Sequence, residues 1–168
     1  MKLVYHLPWE KDPLAGLKAQ HDDIEFVRAK TTADAAKELV DADVLVIGGQ
    51  YYAGDVSAAI NAPGTTVRWV QSSSIGTDKF EEGGLPEGVL FSTAAGLKGK
   101  TVAEHALAML LGHLHALPQI ERFKTAAHWG RDDLRTQIAC IEDQTALLLG
   151  YGSIGKEIAR KLKAFDAH

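Results

Sequence analysis

The sequence predicts an α/β fold, because short apolar runs alternate with longer helical stretches from the first residues onward. The third of these runs, Val44–Ile47, is apolar throughout and ends at Gly48 and Gly49, as expected of a central parallel strand that is covered on both faces. The chain has 168 residues, of which 46% are hydrophobic, so it is long enough to bury a core. Five runs read as strands: residues 2–7, 24–28, 44–47, 67–71 and 89–92.

Helices are predicted between these strands. Thr32 opens one over residues 33–40, and a short one over residues 56–61 ends at Pro63-Gly64. Strands that alternate with helices within about 95 residues indicate a parallel sheet with right-handed crossovers. Residues 1–96 are therefore predicted to form a flavodoxin-like domain around a parallel five-stranded sheet.

A second unit is predicted over residues 97–168, and it opens with a long helix. Thr101 and Glu104 fit a capping box, with the threonine at the N-cap and the glutamate three residues later. Apolar residues surround nearly the whole circumference of this helix as far as Leu117. That pattern predicts a helix that is buried between two bodies.

The rest of the second unit is predicted to contain two more helices and one strand. Pro118 kinks the long helix or restarts it as an amphipathic helix over residues 119–127, and residues 128–138 form a polar arm. A buried strand over residues 145–149 then leads directly into a helix over residues 153–165. Such a strand and helix are the first unit of a Rossmann domain, which would be incomplete in this chain.

The junction between that strand and that helix has the spacing of a phosphate-binding turn. Gly150 permits the tight turn, Gly152 the close approach of a pyrophosphate, and Gly155 the close packing of helix on strand. Exposed N–H groups and the helix dipole favour the phosphates, although a plain strand–helix turn is the alternative. The residues of this predicted cofactor site are Gly150, Tyr151, Gly152, Ser153, Ile154 and Gly155.

The acidic residue that would bind the ribose hydroxyls belongs about 20 residues beyond the glycine motif. Only thirteen residues follow Gly155, so no position in this chain corresponds to it. The sequence therefore predicts half a cofactor site, with weak or absent binding of NAD or NADP.

Three stretches resemble the D-isomer-specific 2-hydroxyacid dehydrogenases, which include glyoxylate and hydroxypyruvate reductases and phosphoglycerate dehydrogenase. They are residues 69–78, residues 92–96 leading to 101–108, and residues 147–155, and the resemblance runs from residue 1 to residue 168. It implies a flavodoxin-like substrate domain followed by an inserted Rossmann domain. It also implies hydride transfer between NAD or NADP and C2 of a small 2-hydroxy or 2-keto acid.

The resemblance further implies two sets of ligand contacts. Ser74, Ile75 and Gly76 would bind the substrate, with the N–H groups of Ile75 and Gly76 directed at its carboxylate. A Ser-Ser-Ser-x-Gly turn at a strand end can make such an anion-binding site, although a solvated loop is the alternative. Thr101 would lie close to the nicotinamide, which is compatible with its predicted capping role.

No catalytic residue is assigned. The histidine, carboxylate and arginine on which the resembled family depends fall well after its glycine motif, and no position here matches them. Glu104 and His105 are interpreted as a cap and a helix-face residue instead of an acid–base pair. We therefore expect a truncated dehydrogenase chain that is inactive alone. The alternative is a non-catalytic flavodoxin-like oligomeric domain that binds an anion or nucleotide weakly.

Charge and composition limit the remaining partners. The net charge of −4 argues against nucleic acid, and no apolar run is long enough to span a membrane. The lone Cys140 fits a reducing compartment, so we expect a cytoplasmic protein. His113 and His115 point to different faces of one helix, and no metal site is assigned. Residues 102–117 and 145–149 would expose several aliphatic side chains in a monomer. We therefore expect a homodimer, either with or without exchanged segments.

Overall fold

The computed structural model describes residues 1–168 and divides into two compact units, residues 1–95 and residues 96–168. The first unit contains one five-stranded sheet with the order β2-β1-β3-β4-β5, in which all neighbouring strands are parallel. This is the flavodoxin-like strand order, so the predicted fold class is confirmed. The strands are Lys2–His6 (β1), Glu25–Arg28 (β2), Val44–Ile47 (β3), Trp69–Ser72 (β4) and Leu90–Ser92 (β5).

Four helices connect these strands, and the sequence predicted two of them. The other two, α1 and α4, have only four and six residues, too few to show a helical period. The capping box of α2 is formed by Thr31, whose Oγ1 accepts from the N–H of Asp34 at 3.1 Å while Asp34 Oδ2 accepts from the N–H of Thr31. The helices are Ala15–Lys18 (α1), Thr32–Glu38 (α2), Asp55–Ile60 (α3) and Asp78–Gly83 (α4).

The sheet of the first unit is covered on both faces around β3. Leu45 and Ile47 face one apolar cluster, and Val44 faces the other. All three side chains are buried. This arrangement explains the unbroken apolar run of β3, since successive side chains of a strand point to opposite faces and each face here has its own core.

The second unit is helical. The break between α5 and α6 falls at Ala116, which adopts a left-handed φ of 51°, and Pro118 lies in the first turn of α6. A proline is tolerated there because an N–H in the first turn has no intrahelical partner, so the predicted restart of the helix is confirmed. The helices are Gly99–Leu114 (α5), Leu117–Thr125 (α6), Arg131–Leu134 (α7) and Ser153–Lys163 (α8).

Two predictions about α5 are wrong. The helix begins at Gly99 with Lys98 at the N-cap and no side-chain cap, so Thr101 is an exposed residue inside the first turn and cannot cap the helix. The helix is also not buried between two bodies in this chain, because apolar side chains on it remain exposed. It packs chiefly through one stripe that faces α8, and Met109 on another face is 59% exposed. Its buried residues are Gly99, Ala103 and Leu107.

The predicted strand over residues 145–149 is also wrong, because this segment lies outside any helix or sheet. Leu147 and Leu149 are 84% and 93% exposed. A strand forms only when a neighbouring strand pairs with its N–H and C=O groups. Here two backbone hydrogen bonds join the start of the segment to one residue: the N–H of Ala146 donates to the carbonyl of His168 at 2.7 Å, and the N–H of His168 donates to the carbonyl of Gln144 at 2.9 Å. No helix in either unit combines the length and the apolar character needed to cross a membrane.

Candidate functional site

The glycine turn, residues 150–155, connects residues 145–149 to α8. Gly150 has a φ of 97°, a conformation that residues with a Cβ rarely adopt. A Cβ on Gly155 would collide with the carbonyl oxygen of Gly150, so the first turn of α8 is folded directly onto the start of the turn. An added Cβ on Gly152, in contrast, would meet no atom within 4 Å. The turn is therefore closed on its helix side and open at Gly152.

The open side of the glycine turn presents unpaired N–H groups. Gly152 is the N-cap of α8, no side chain caps the helix, and its first turn contains no acidic residue. The first N–H groups of a helix have no intrahelical acceptor, and the helix dipole adds partial positive charge at the same place. A shallow pocket of about 320 Å³ lies there, lined among others by Leu149, Gly152 and Ser153. This geometry suits a phosphate group.

Thr101 belongs to the same unit as the glycine turn. It lies in the first turn of α5, two residues after Gly99, and a Cβ on Gly99 would come within 3.1 Å of the carbonyl oxygen of Ser153. The N-terminal ends of α5 and α8 are thus in contact. Farther along, the Nζ of Lys161 lies 3.3 Å from a carboxylate oxygen of Glu104, which joins the two helices again.

The Ser74–Gly76 turn belongs to the first unit and follows β4. Ser74 is tied into the protein, since its N–H donates to Ser72 Oγ and its carbonyl accepts from the N–H of Ala94, each at 3.1 Å. Ile75 and Gly76 are exposed, and neither N–H donates to another group of the protein. Two of the three predicted substrate contacts thus have free N–H groups, and the third anchors the turn.

Sequence reasoning missed a buried histidine at the carboxyl end of β1. His6 ends β1 in register with Ile47 of β3, and it is 8% exposed. Its Nδ1 lies 3.1 Å from the carbonyl oxygen of Ala29, and its ring meets that of Tyr51 edge-on with centroids 4.8 Å apart. Ligand sites of open parallel sheets lie at the carboxyl ends of the strands. The only sequence signal for His6 was therefore its position at the end of a predicted strand.

Tyr52 and Asp12 are the groups of the first unit whose pKa values are shifted by a large amount, and both are structural. Burial raises the pKa of Tyr52 to about 12, and its hydroxyl donates to the carbonyl of Gly84 at 2.6 Å. The Asp12 carboxylate accepts from the Nζ of Lys18 at 2.8 Å and from the hydroxyl of Tyr5 at 2.9 Å. These bonds, chiefly the one from Lys18, lower the pKa of Asp12 to about 2. Neither group is poised to exchange a proton near neutral pH.

Comparison with known proteins agrees with this geometry. A sequence profile described as the D-isomer specific 2-hydroxyacid dehydrogenase, NAD binding domain, matches residues 107–168. Over 167 residues the chain is 20% identical to D-3-phosphoglycerate dehydrogenase of Archaeoglobus fulgidus, covering 99% of this chain and 31% of that protein. It is 30% identical over 138 residues to erythronate-4-phosphate dehydrogenase of Salinibacter ruber, covering 82% of this chain and 28% of the other.

Solved structures show the same fold. A D-isomer specific 2-hydroxyacid dehydrogenase family protein from Aeromonas salmonicida superimposes with a TM-score of 0.78 at 23% identity, covering 99% of this chain and 51% of that one. D-lactate dehydrogenase from Aquifex aeolicus, solved with NAD and lactic acid, gives a TM-score of 0.74 at 17% identity, with 98% and 49% covered.

The chain shares its fold with solved Rossmann-containing dehydrogenases. Within that class, residues 107–168 match the NAD binding domain of the D-isomer-specific 2-hydroxyacid dehydrogenases, and the whole chain is similar in sequence to relatives that carry such names. It spans about a third of the length of the curated relatives described above and about half of the solved chains.

Proposed function

We propose that this chain carries the substrate turn and the phosphate-binding turn of an NAD(P)-dependent oxidoreductase that acts on a small 2-hydroxy or 2-keto acid. The observation that carries the proposal is the glycine turn, which is closed at Gly155, open at Gly152 and free of a side-chain cap. The relatives support it, since they are named as dehydrogenases of phosphoglycerate, erythronate phosphate and lactate.

In this proposal the two turns have separate tasks. The N–H groups at the start of α8 bind the pyrophosphate of the dinucleotide, and Thr101 contacts the cofactor from the neighbouring helix. The bound cofactor supplies or accepts the hydride. The N–H groups of Ile75 and Gly76 bind the substrate carboxylate, because an anion gains most from donors that have no partner in the protein.

The phosphate-binding role is tested by filling the open side of the glycine turn. Gly152→Val introduces a branched side chain where a phosphate would approach, at a φ of −81° and ψ of −158° that valine tolerates. We expect the affinity for NADH, measured by protein-detected NMR titration, to fall by roughly tenfold or more. Gly112→Ala is the matched control, since its Cβ would meet only Leu117 at 3.9 Å. Equal affinities of wild type and Gly152→Val would refute the role.

We further propose that the 168-residue chain does not turn over by itself and binds the dinucleotide weakly. The support is the exposure of Leu147 and Leu149, because the segment that leads into the glycine turn is not held in a sheet. The purified chain, mixed with NADH or NADPH and either glyoxylate or hydroxypyruvate, should show no loss of reduced cofactor. Cofactor-dependent turnover above a protein-free blank would overturn this part of the proposal.

We also propose that the chain forms a homodimer, either with or without exchanged segments, through an apolar surface of the second unit. Trp129 is 87% exposed beside an apolar pocket of about 510 Å³ that includes Ile120, Phe123 and Leu134. A surface of this kind is typical of protein–protein contacts. Light scattering at micromolar concentration should give a dimer mass for wild type and a lower mass for Trp129→Ser. A monomeric wild type would contradict the proposal.

The non-catalytic alternative makes use of the same apolar surface. It is favoured if the chain is an oligomer and neither wild type nor Gly152→Val binds the dinucleotide detectably.

A cytoplasmic location is also proposed, and it is supported by Cys140, an exposed free thiol that fits a reducing compartment.

A further inference from the structure

The Ser74–Gly76 turn is fixed by hydrogen bonds that come from the ends of three strands. Ser72, the last residue of β4, is fully buried, and its Oγ accepts from the N–H of Ser74 at 3.1 Å. Gly49, which follows β3, donates its N–H to Ser74 Oγ at 3.1 Å. Ala94, which follows β5, donates its N–H to the carbonyl of Ser74 at 3.1 Å. Ser74 is therefore held by β3, β4 and β5 together.

The two serine hydroxyls complete this set of bonds. Ser72 Oγ and Ser74 Oγ lie 2.9 Å apart, so one hydroxyl donates to the other. Each of these oxygens also accepts a backbone N–H, and the hydroxyl of Ser74 is thus occupied within the protein. The groups left free immediately after it are the N–H groups of Ile75 and Gly76.

Gly49 touches both ends of the turn. A Cβ at this position would lie 2.6 Å from Ser74 Oγ and 3.3 Å from the carbonyl oxygen of Gly76. The first distance is too short for any real contact, and the second is tight against backbone that cannot easily shift. Only glycine lets the end of β3 lie this close to the turn.

We propose that Gly49 and Ser72 are positioning residues, which hold the N–H groups of Ile75 and Gly76 in place for a small carboxylate. Neither residue touches the ligand. They act because donors that are already fixed bind an anion without the entropy cost of ordering the loop. This inference rests on the proposed substrate role of the Ser74–Gly76 turn and extends it to residues that the family resemblance did not point to.

The test is a titration of the ¹⁵N-labelled 168-residue chain with oxamate, an unreactive analogue of a small 2-keto acid. In wild type, the amide signals of Ile75 and Gly76 should shift and saturate with oxamate. They should not shift with oxamide, which lacks the carboxylate. Ser72→Ala and Gly49→Ala should each weaken oxamate binding by roughly tenfold. Both variants should also move the Ile75 and Gly76 signals before any ligand is added.

Two controls separate positioning from a general loss of stability. Ser57→Ala removes a hydroxyl that bonds only the carbonyl of Gly54, at 3.0 Å, and Gly16→Ala adds a Cβ in open space. Both should bind oxamate as wild type does, even where the Tm falls. If Gly49→Ala does not fold, Ser72→Ala carries the test alone, since it removes a single oxygen atom.

The outcomes distinguish this inference from the proposed function. If oxamate leaves Ile75 and Gly76 unshifted in wild type, the substrate role of the turn is overturned, and the positioning role with it. If wild type binds and Ser72→Ala binds equally well, only the positioning role is overturned. A lower Tm for Ser72→Ala with unchanged oxamate affinity would likewise mean that the hydroxyl is purely structural.

Discussion

Two apolar runs of similar composition have different structures in the two units of this chain. Val44–Ile47 is a central strand, hydrogen-bonded to β1 on one side and to β4 on the other. Residues 146–149, with the sequence Ala-Leu-Leu-Leu, form no strand, and Leu147 and Leu149 are almost fully exposed. The difference shows that an apolar run alone does not form a strand, because a strand also requires a neighbouring strand that pairs with its backbone.

The two units also differ in the size of their buried apolar cores. In the first unit both sheet faces are covered, and Val4, Leu45 and Val70 have no exposed surface. In the second unit the buried apolar cluster is small and is centred on Leu107 and Leu162. The second unit therefore has less buried apolar area to offset the entropy of ordering its chain.

The largest expected effect compares one leucine from each run. Leu45→Ala removes a fully buried side chain and should lower the free energy of unfolding by about 2–5 kcal/mol. Leu149→Ala changes a side chain that is 93% exposed and should change it by no more than about 0.5 kcal/mol. Urea denaturation followed by circular dichroism measures both. Equal losses in the two variants would mean that residues 145–149 are buried in solution.

A smaller effect is expected within the glycine turn. Gly155→Ala places a Cβ against the Gly150 carbonyl and should destabilise the start of α8 by about 1–3 kcal/mol. Gly152→Ala points into open space and should cost no more than about 0.5 kcal/mol. Hydrogen exchange of the α8 amides reports this difference directly. Faster exchange in Gly152→Ala than in Gly155→Ala would contradict the assigned geometry.

The smallest expected effect is the pH dependence of the first unit. The pKa of Asp12 is lowered from 3.8 to about 2, chiefly by the hydrogen bond from Lys18. A lowered pKa means that this interaction is fully present above pH 3.8 and is lost as the pH falls through about 2. In Asp12→Asn, the Tm should therefore fall less steeply than in wild type as the pH decreases across that range. Asp22→Asn, an exposed carboxylate outside any ion pair, is the control and should leave the slope unchanged.

Comparison of prediction and structure shows which signals were sufficient. All five predicted strands overlap the observed ones: β3 has the predicted bounds, β1, β2 and β5 differ by one residue at one end, and β4 differs by at most two residues at either end. Their apolar runs are short and bounded by glycine, proline or charged residues. The capping box at Thr101 failed because its pattern of threonine and glutamate occurs inside α5, whereas the real box uses Thr31 and Asp34.

The sequence by itself determined the alternation of strands and helices, the helix restart marked by Pro118 and the glycine turn. Each of these depends on local backbone preferences, such as the positive φ of Gly150. Only the tertiary structure decided that residues 145–149 are not a strand and that Ile75 and Gly76 have free N–H groups. Those outcomes depend on residues far away in the chain. Gly49 and Ala94 hold the Ser74–Gly76 turn, whereas no strand pairs with residues 145–149.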